Sequence, residues 1–279
     1  MSRRPAPVRW ARGFAFFAFF APVSSSSGAG HDLWVMAGQY QLEPFETTRV
    51  FINSGDVFPE SLSLLVQHRV TALALHGPAE TRPISEFRAE GKSLSFEISP
   101  TSTGSHVLAL STRPRRVRLK AKEFTDYLDD TRLESILATR EELGESGEAT
   151  VERYAKWAKA LIDVGELEAD EEHPAWSKPV GHTIEIVPDE NPNEVIAGGS
   201  FGLRVLYEGE PLAGVAVAGG KAGGAAGEVL TRTDADGRAR VTILSSGRWY
   251  LRSIHMIRHE DDPEVRWESF WCTLTFEVR

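Results

Sequence analysis

Residues 149–165, ATVERYAKWAKALIDVG, are the stretch on which the architecture turns. Val151, Tyr154, Ala155, Ala158, Leu161 and Ile162 recur at i, i+3, i+4 and i+7 spacing, the signature of one buried face on an α-helix. Gly165 stands where such a helix would end, because glycine takes up the left-handed conformation at little cost. Upstream, Thr131 and Glu134 have capping-box spacing ahead of Leu133, Ile136 and Leu137. The spacing therefore predicts a helical insert over about 121–164, amphipathic and packed against its surroundings.

The flanking sequence has a period of two. Before the insert, TTRVFINSG (47–55), SLSFEIS (93–99) and GSHVLALST (104–112) alternate apolar and polar residues between Gly, Pro and Ser punctuation. After it, strands resume from His182, and WESFWCTLTFEVR (267–279) places Phe270, Cys272, Leu274, Phe276 and Val278 on one face. The fold class expected is mainly β: two β-sandwich, immunoglobulin-like domains with a helical insert, the first over 31–181 and the second over 182–279. RPRRVR (113–118) reads as a solvated edge strand or connector, and the acidic, proline-punctuated 166–180 as a linker in which His173 is solvent-exposed.

The first 30 residues have a different character. Arg3, Arg4, Arg9 and Arg12 precede the apolar block GFAFFAFFAPV (13–23), which is shorter than the roughly 20 residues a bilayer requires, and small residues follow. This reads as a secretory signal peptide, and cleavage after Gly30 would make His31 the first residue of the exported chain. The leader takes four of the 31 Lys and Arg residues and none of the 40 Asp and Glu, leaving 27 basic against 40 acidic residues, a net charge of −13. Such a surface attracts cations and repels nucleic acid and anionic lipid. Cys272 is the only cysteine, which rules out an internal disulfide. No later apolar run reaches membrane-spanning length, so a soluble periplasmic protein is expected.

Familiar catalytic motifs are missing. The glycine-rich GGKAGGAAG (219–227) lacks the ending of a phosphate loop, and TDADG (233–237) is a hairpin turn rather than a calcium loop. There is no Gly-x-Ser-x-Gly and no His-Glu-x-x-His, and the protein is not expected to be an enzyme.

The informative residues are polar ones on apolar faces. Glu268 continues the face of Phe270 and Cys272, His106 that of Leu108 and Leu110, His31 that of Leu33 and Val35, and His255 that of Trp249 and Leu251. Each sits at a strand end, where a single histidine is usually a hydrogen-bonded rim residue. Converging at one end of the sandwiches, they would offer the nitrogen and carboxylate donors that nickel, cobalt and copper favour. His31 adds a particular advantage: a free α-amine and the imidazole of one residue can close a chelate ring on one ion.

The chain as a whole resembles a family of bacterial periplasmic proteins labelled as periplasmic components of cobalt or nickel uptake systems and otherwise carried as a domain of unknown function. The likeness rests on HDLWV after the leader, GSHVLAL, KAKEFTDYL, HTIEIVPDENPNEV and TDADGRARVTI, and on HM followed by WESFWCTLTFEV. The back half also resembles the carboxypeptidase-regulatory or transthyretin-like sandwich, through GEPLAGVAV and TDADGRA. The resemblance implies metal handling, with His31, His106, Glu123, His255 and Glu268 at the matching polar positions. The expectation is a periplasmic protein that binds a divalent transition metal, nickel or cobalt before copper or zinc, for a membrane uptake transporter. Its ligands would be His31, His106 and His255, with Glu268 as a fourth ligand or orienting group and Glu123 in support. Two alternatives differ in class: a metal-free extracytoplasmic binding or structural module, and a copper-dependent oxidative enzyme with an N-terminal histidine ligand.

Overall fold

In the computed structural model, which describes residues 30–167, 174–224 and 227–279, strands form where the period-two segments predict them. Residues 1–29 of the leader and His173 lie outside the described residues. The first part of the chain supplies β1 (Asp32–Ala37), β2 (Gln41–Leu42), β3 (Thr48–Gly55), β4 (Val70–His76), β5 (Thr81–Pro83), β6 (Arg88–Glu90), β7 (Ser93–Ile98), β8 (Gly104–Thr112) and β9 (Arg115–Leu119). Two helices follow, α1 (Ala121–Asp130) and α2 (Glu134–Glu142), and then β10 (Thr150–Val164). The remainder comprises β11 (Ile184–Pro188), β12 (Ser200–Tyr207), β13 (Glu210–Pro211), β14 (Ala216–Lys221), β15 (Glu228–Arg232), β16 (Arg238–Thr242), β17 (Gly247–Arg258) and β18 (Trp267–Val278).

The fold is mainly β and has two sandwich cores, but the helical insert is shorter than expected. Residues 121–142 are largely helical, whereas 150–164 form a strand of 15 residues. The reason lies in its two faces. Ala155, Trp157 and Leu161 enter one core, and Ala158, Ala160, Ile162 and Val164 the other. A strand buried on both faces loses its alternation, and an apolar run with a few polar residues then mimics a helical stripe. Gly165 does adopt a left-handed φ of 66°, but it ends a strand. Thr131 likewise closes α1, its hydroxyl donating to the Tyr127 carbonyl at 2.7 Å, while Leu133 occupies the position that opens α2.

β10 is the axis of a ten-stranded sheet ordered β15-β14-β17-β18-β10-β8-β4-β5, with β2 and β9 also paired to β10. It runs parallel to β18, Glu152–Ala160 opposite Trp267–Thr275, and antiparallel to β8 and β9. On one face, the sheet β1-β3-β7-β6 packs over β10, β8 and β4 through residues such as Val35, Ile52, Leu94 and Leu108. On the other, β11, β12, β13 and β16 pack over β14, β17, β18 and β10 through Ile186, Phe201, Leu251 and Leu274. The two sandwiches thus share one sheet. Beside β1, the helices cover the remaining part of the first face, where Phe124, Leu128 and Ile136 meet Ile254, Met256, Trp267 and Trp271. Among the described residues, no helix is long and apolar enough to cross a membrane.

Lys159 projects from β10 into the second core and forms a buried ion pair with Glu185 of β11 at 2.8 Å. The backbone amides of Val180 and Gly181 also donate to the Glu185 carboxylate. Removing one partner strands the other charge out of water, which typically costs about 3–5 kcal/mol. Lys159→Met is therefore expected to destabilise the protein by about 3 kcal/mol in urea denaturation. Lys159→Met/Glu185→Gln should recover a large part of that loss, because no buried charge remains.

Candidate functional site

Besides the Lys159–Glu185 pair, a group of buried charged side chains gathers in the seam between the start of β1, the first half of β10, β17, β18 and α1. Glu152 and Lys156 share one face of β10 with Tyr154, as alternation requires, and both are buried. From β1, buried Asp32 accepts from Arg252 of β17 at 3.1 Å. Lys156 Nζ donates to the main-chain carbonyl of His31. Both cations lie over the Trp271 ring, the Lys156 ammonium 4.5 Å and the Arg252 guanidinium carbon 5.9 Å from its centroid.

Position 31 is thus fixed twice, through its carbonyl and through the side chain of its neighbour. Its own imidazole is placed by strand register. Asp32 lies opposite Gly55 across the β1–β3 ladder, so His31 and Asp56 come side by side just beyond it. His31 Nδ1 is 2.5 Å from Asp56 Oδ1. Gly30, Asp32 and Asp56 help line a cavity of about 660 Å³ that Asp130, Arg132, Glu228 and Arg252 also border. Its wall carries four carboxylates and two guanidinium groups, one of which is already paired with Asp32. A cavity of that balance concentrates cations.

Burial sets the proton equilibria around this seam. It pushes the Lys156 ammonium down to about 8, against the nearby Asp32 carboxylate. It pushes the Glu152 carboxyl up to about 7, although hydrogen bonds from Ser269 and Tyr127 favour the charged form. Ser269 donates to Glu152 Oε1, Tyr127 donates to the same oxygen at 3.1 Å, and Oε2 finds no partner among the described residues.

The other expected ligands lie elsewhere. His106 pairs with Ile162 across the β8–β10 ladder, six residues along β10 from the Lys156 that touches His31. At roughly 3.3 Å per residue that is a separation of about 20 Å. His106 Nδ1 donates to the Gly104 carbonyl at 3.0 Å, and its Nε2 is 3.3 Å from Ser102 Oγ. His255 lies opposite Phe270, which lies opposite Ala155 in the second core, on the far face of the shared sheet from Lys156. Its ring packs edge-on against Tyr207 at 4.6 Å.

Glu268 is paired at the rim, with His259 Nδ1 at 3.0 Å and Arg153 at 3.0 Å. Glu123 caps its own helix, accepting from the Lys120 amide at 3.0 Å. The shared shell of His31, His106, His255 and Glu268 is therefore corrected: strand phase was right, but phase does not say which end or which face of a sheet a residue reaches. Among the described residues, no three His, Cys, Asp or Glu side chains are grouped to hold a metal ion.

Of the expected set only His31 adjoins the charged seam. Asp56, Lys156 and Arg252 were missed. Arg252 was within reach of the test applied to His255, because it lies in phase with buried Tyr250 and Ile254. Lys156 was hidden by the helical reading of its strand. Chemically, the His31–Asp56 contact brings together an imidazole nitrogen and a carboxylate oxygen, two donor types that transition metals accept.

The raised Glu152 value has a definite sign. The folded state holds this proton more tightly than the unfolded chain does, so the penalty is absent below about pH 4.5 and complete above about 7. Glu152→Gln should match the parent at pH 4 and exceed its stability by on the order of 3 kcal/mol at pH 8, measured by urea denaturation at both pH values.

A family model described as "Domain of unknown function (DUF4198)" matches residues 28–257. No curated protein matches the chain. Among solved structures, the Escherichia coli adhesin FdeC aligns with 88% of this chain and 64% of its own, at 11% identity and a TM-score of 0.25. The D0-D1 domain of intimin aligns with 88% of this chain and 97% of its own, at 12% identity and a TM-score of 0.22. The Yersinia pseudotuberculosis adhesin InvE aligns with 89% and 59%, at 13% identity and a TM-score of 0.22. This chain thus spans less than two thirds of the FdeC and InvE chains, and likenesses this distant carry no argument about function.

Proposed function

The chain belongs to the family described as Domain of unknown function (DUF4198), and we propose that it is an exported periplasmic protein that captures a divalent transition-metal ion at residue 31. Removal of the leader after Gly30 frees the α-amine of His31. The amine, His31 Nδ1 and an Asp56 oxygen then form one face of donors around the ion. The carrying observation is the 2.5 Å contact between Nδ1 and Asp56 Oδ1, beside a cavity that Gly30 helps to line. Two residues and a chain terminus suffice, so the site needs no third side chain.

Three features support this reading. Lys156 and Arg252 anchor residues 31 and 32, so the ordering cost of a terminal ligand is met by folding. The excess of carboxylates around the cavity favours a cation. Two nitrogens and a carboxylate suit nickel, cobalt and copper better than calcium or magnesium. The resemblance to proteins labelled as cobalt or nickel uptake components favours nickel or cobalt as cargo for a membrane transporter.

N-terminal sequencing of the protein exported by its native host should return His-Asp-Leu-Trp. Calorimetric titration of that protein with nickel, cobalt, copper and zinc should give at least one tight isotherm. An added glycine before His31 should weaken it at least tenfold, about 1.4 kcal/mol, and Asp56→Asn should weaken it less. Equal affinity in the glycine-extended protein would remove the chelate, and no isotherm with any of the four would leave a metal-free module.

A further inference from the structure

His106 is placed for a different chemistry, independent of residue 31. Its Nδ1 faces the Gly104 carbonyl oxygen at 3.0 Å. A carbonyl can only accept, so Nδ1 carries the proton and the lone pair of the neutral ring lies on Nε2. That nitrogen is 3.3 Å from the hydroxyl of Ser102, on the loop between β7 and β8. A serine hydroxyl, an imidazole acceptor and an acceptor that fixes the ring's tautomer are the three parts of an activated nucleophile. Such geometry recurs without any shared sequence motif, which is why no motif announced it.

The surroundings are consistent with that use. His106 is 3% exposed, and its ring lies so close beneath Gly77 that a Cβ there would sit 2.8 Å from Nε2. Only glycine leaves the ring in this position. Desolvation, with the Arg82 charge, holds the imidazole below its usual value, so it is unprotonated and able to accept at neutral pH. Ser102, His106, Arg82, Glu80 and Gly77 line a surface cavity of about 20 Å³, room for one water or one carbonyl oxygen.

We propose that Ser102 and His106 form a nucleophile–base pair that hydrolyses small acyl esters, such as acetyl esters, with Arg82 holding the developing oxyanion. The Ser102 Oγ–H bond breaks as its proton moves to His106 Nε2, and a new Oγ–C bond forms at the acyl carbon. Collapse of the tetrahedral adduct breaks the bond to the alcohol oxygen, which takes the proton back from Nε2. Water then adds to the acyl carbon as His106 Nε2 takes its proton, and collapse breaks the Oγ–C bond, releasing the acid while Ser102 Oγ takes the proton back from Nε2. The net reaction is ester plus water giving acid plus alcohol, and no further reactant is required. The narrow cavity admits only the oxygen of the reacting carbonyl, leaving the short acyl group and the alcohol portion at the surface.

The test uses the full processed protein, with p-nitrophenyl acetate as substrate and a fluorophosphonate as the covalent probe, both in the presence of EDTA. Peptide mass spectrometry should find the probe on Ser102. Ser102→Ala should lower turnover at least tenfold while the circular dichroism spectrum is retained. His106→Gln should lose the label, Arg82→Gln should lower kcat more than it raises KM, and the pH profile should reach its plateau below the usual histidine range. A label on another residue, no label at all, or parental turnover in Ser102→Ala would overturn the proposal. Because EDTA is present throughout, failure here leaves the metal reading at residue 31 untouched, and failure of that reading leaves this one.

Discussion

From Tyr154 onward β10 has no solvent face, and the architecture depends on that constraint. A strand buried on both sides must be covered twice, so one sheet serves two cores and the chain cannot be cut into two independent sandwiches at the 181–182 boundary. The parallel pairing with β18 ties the last strand of the chain to its middle. The same constraint forces the polar residues of β10 out of water. Lys159 is matched by Glu185 in one core, and Glu152 and Lys156 by the seam beside α1 in the other. Buried charges of this kind add little net stability over apolar replacements, but each one fixes the position of the groups it pairs with.

That geometry converges on the beginning of β1. Ordinarily the first residues of a domain fray, because few contacts hold them. Here a lysine from β10 holds the carbonyl of residue 31 and an arginine from β17 holds the carboxylate of residue 32. β1 is also tied to β18 by the hydroxyls of Thr273 and Thr275, which donate to the carbonyls of Leu33 and Val35 at 2.5 and 2.6 Å. The beginning of β1 is therefore held in place by strands distant in sequence.

Much of this was legible in the sequence, but unevenly. The face formed by Phe270, Cys272, Leu274, Phe276 and Val278 is as alternation predicts, and Glu268 at its rim is paired, one of the outcomes its phase required. Strands with one wet face declare themselves through period two. β10 does not, since its alternation is erased by burial on both sides and its lysines look like the polar stripe of a helix. Register across distant strands is harder still. The 31–56 juxtaposition follows from pairing Asp32 with Gly55, which no local pattern encodes, and the separation of His106 from His255 follows from their places on opposite faces of one sheet.

Strand phase tests whether a residue faces a core, and a polar residue that passes it needs a partner; it does not say that several such residues need the same one. Four of the histidines find separate local partners: His31 with Asp56, His106 with Ser102 and Gly104, His255 against Tyr207 and Phe270, His259 with Glu268. What separates them chemically is the kind of partner. At residue 31 the partner is a carboxylate, whereas at residue 106 a carbonyl on one ring nitrogen leaves the lone pair of the other aimed at a hydroxyl. The same side chain in the same strand-end phase therefore meets different chemistry at residues 31 and 106, and the partners, supplied by tertiary structure, make the distinction.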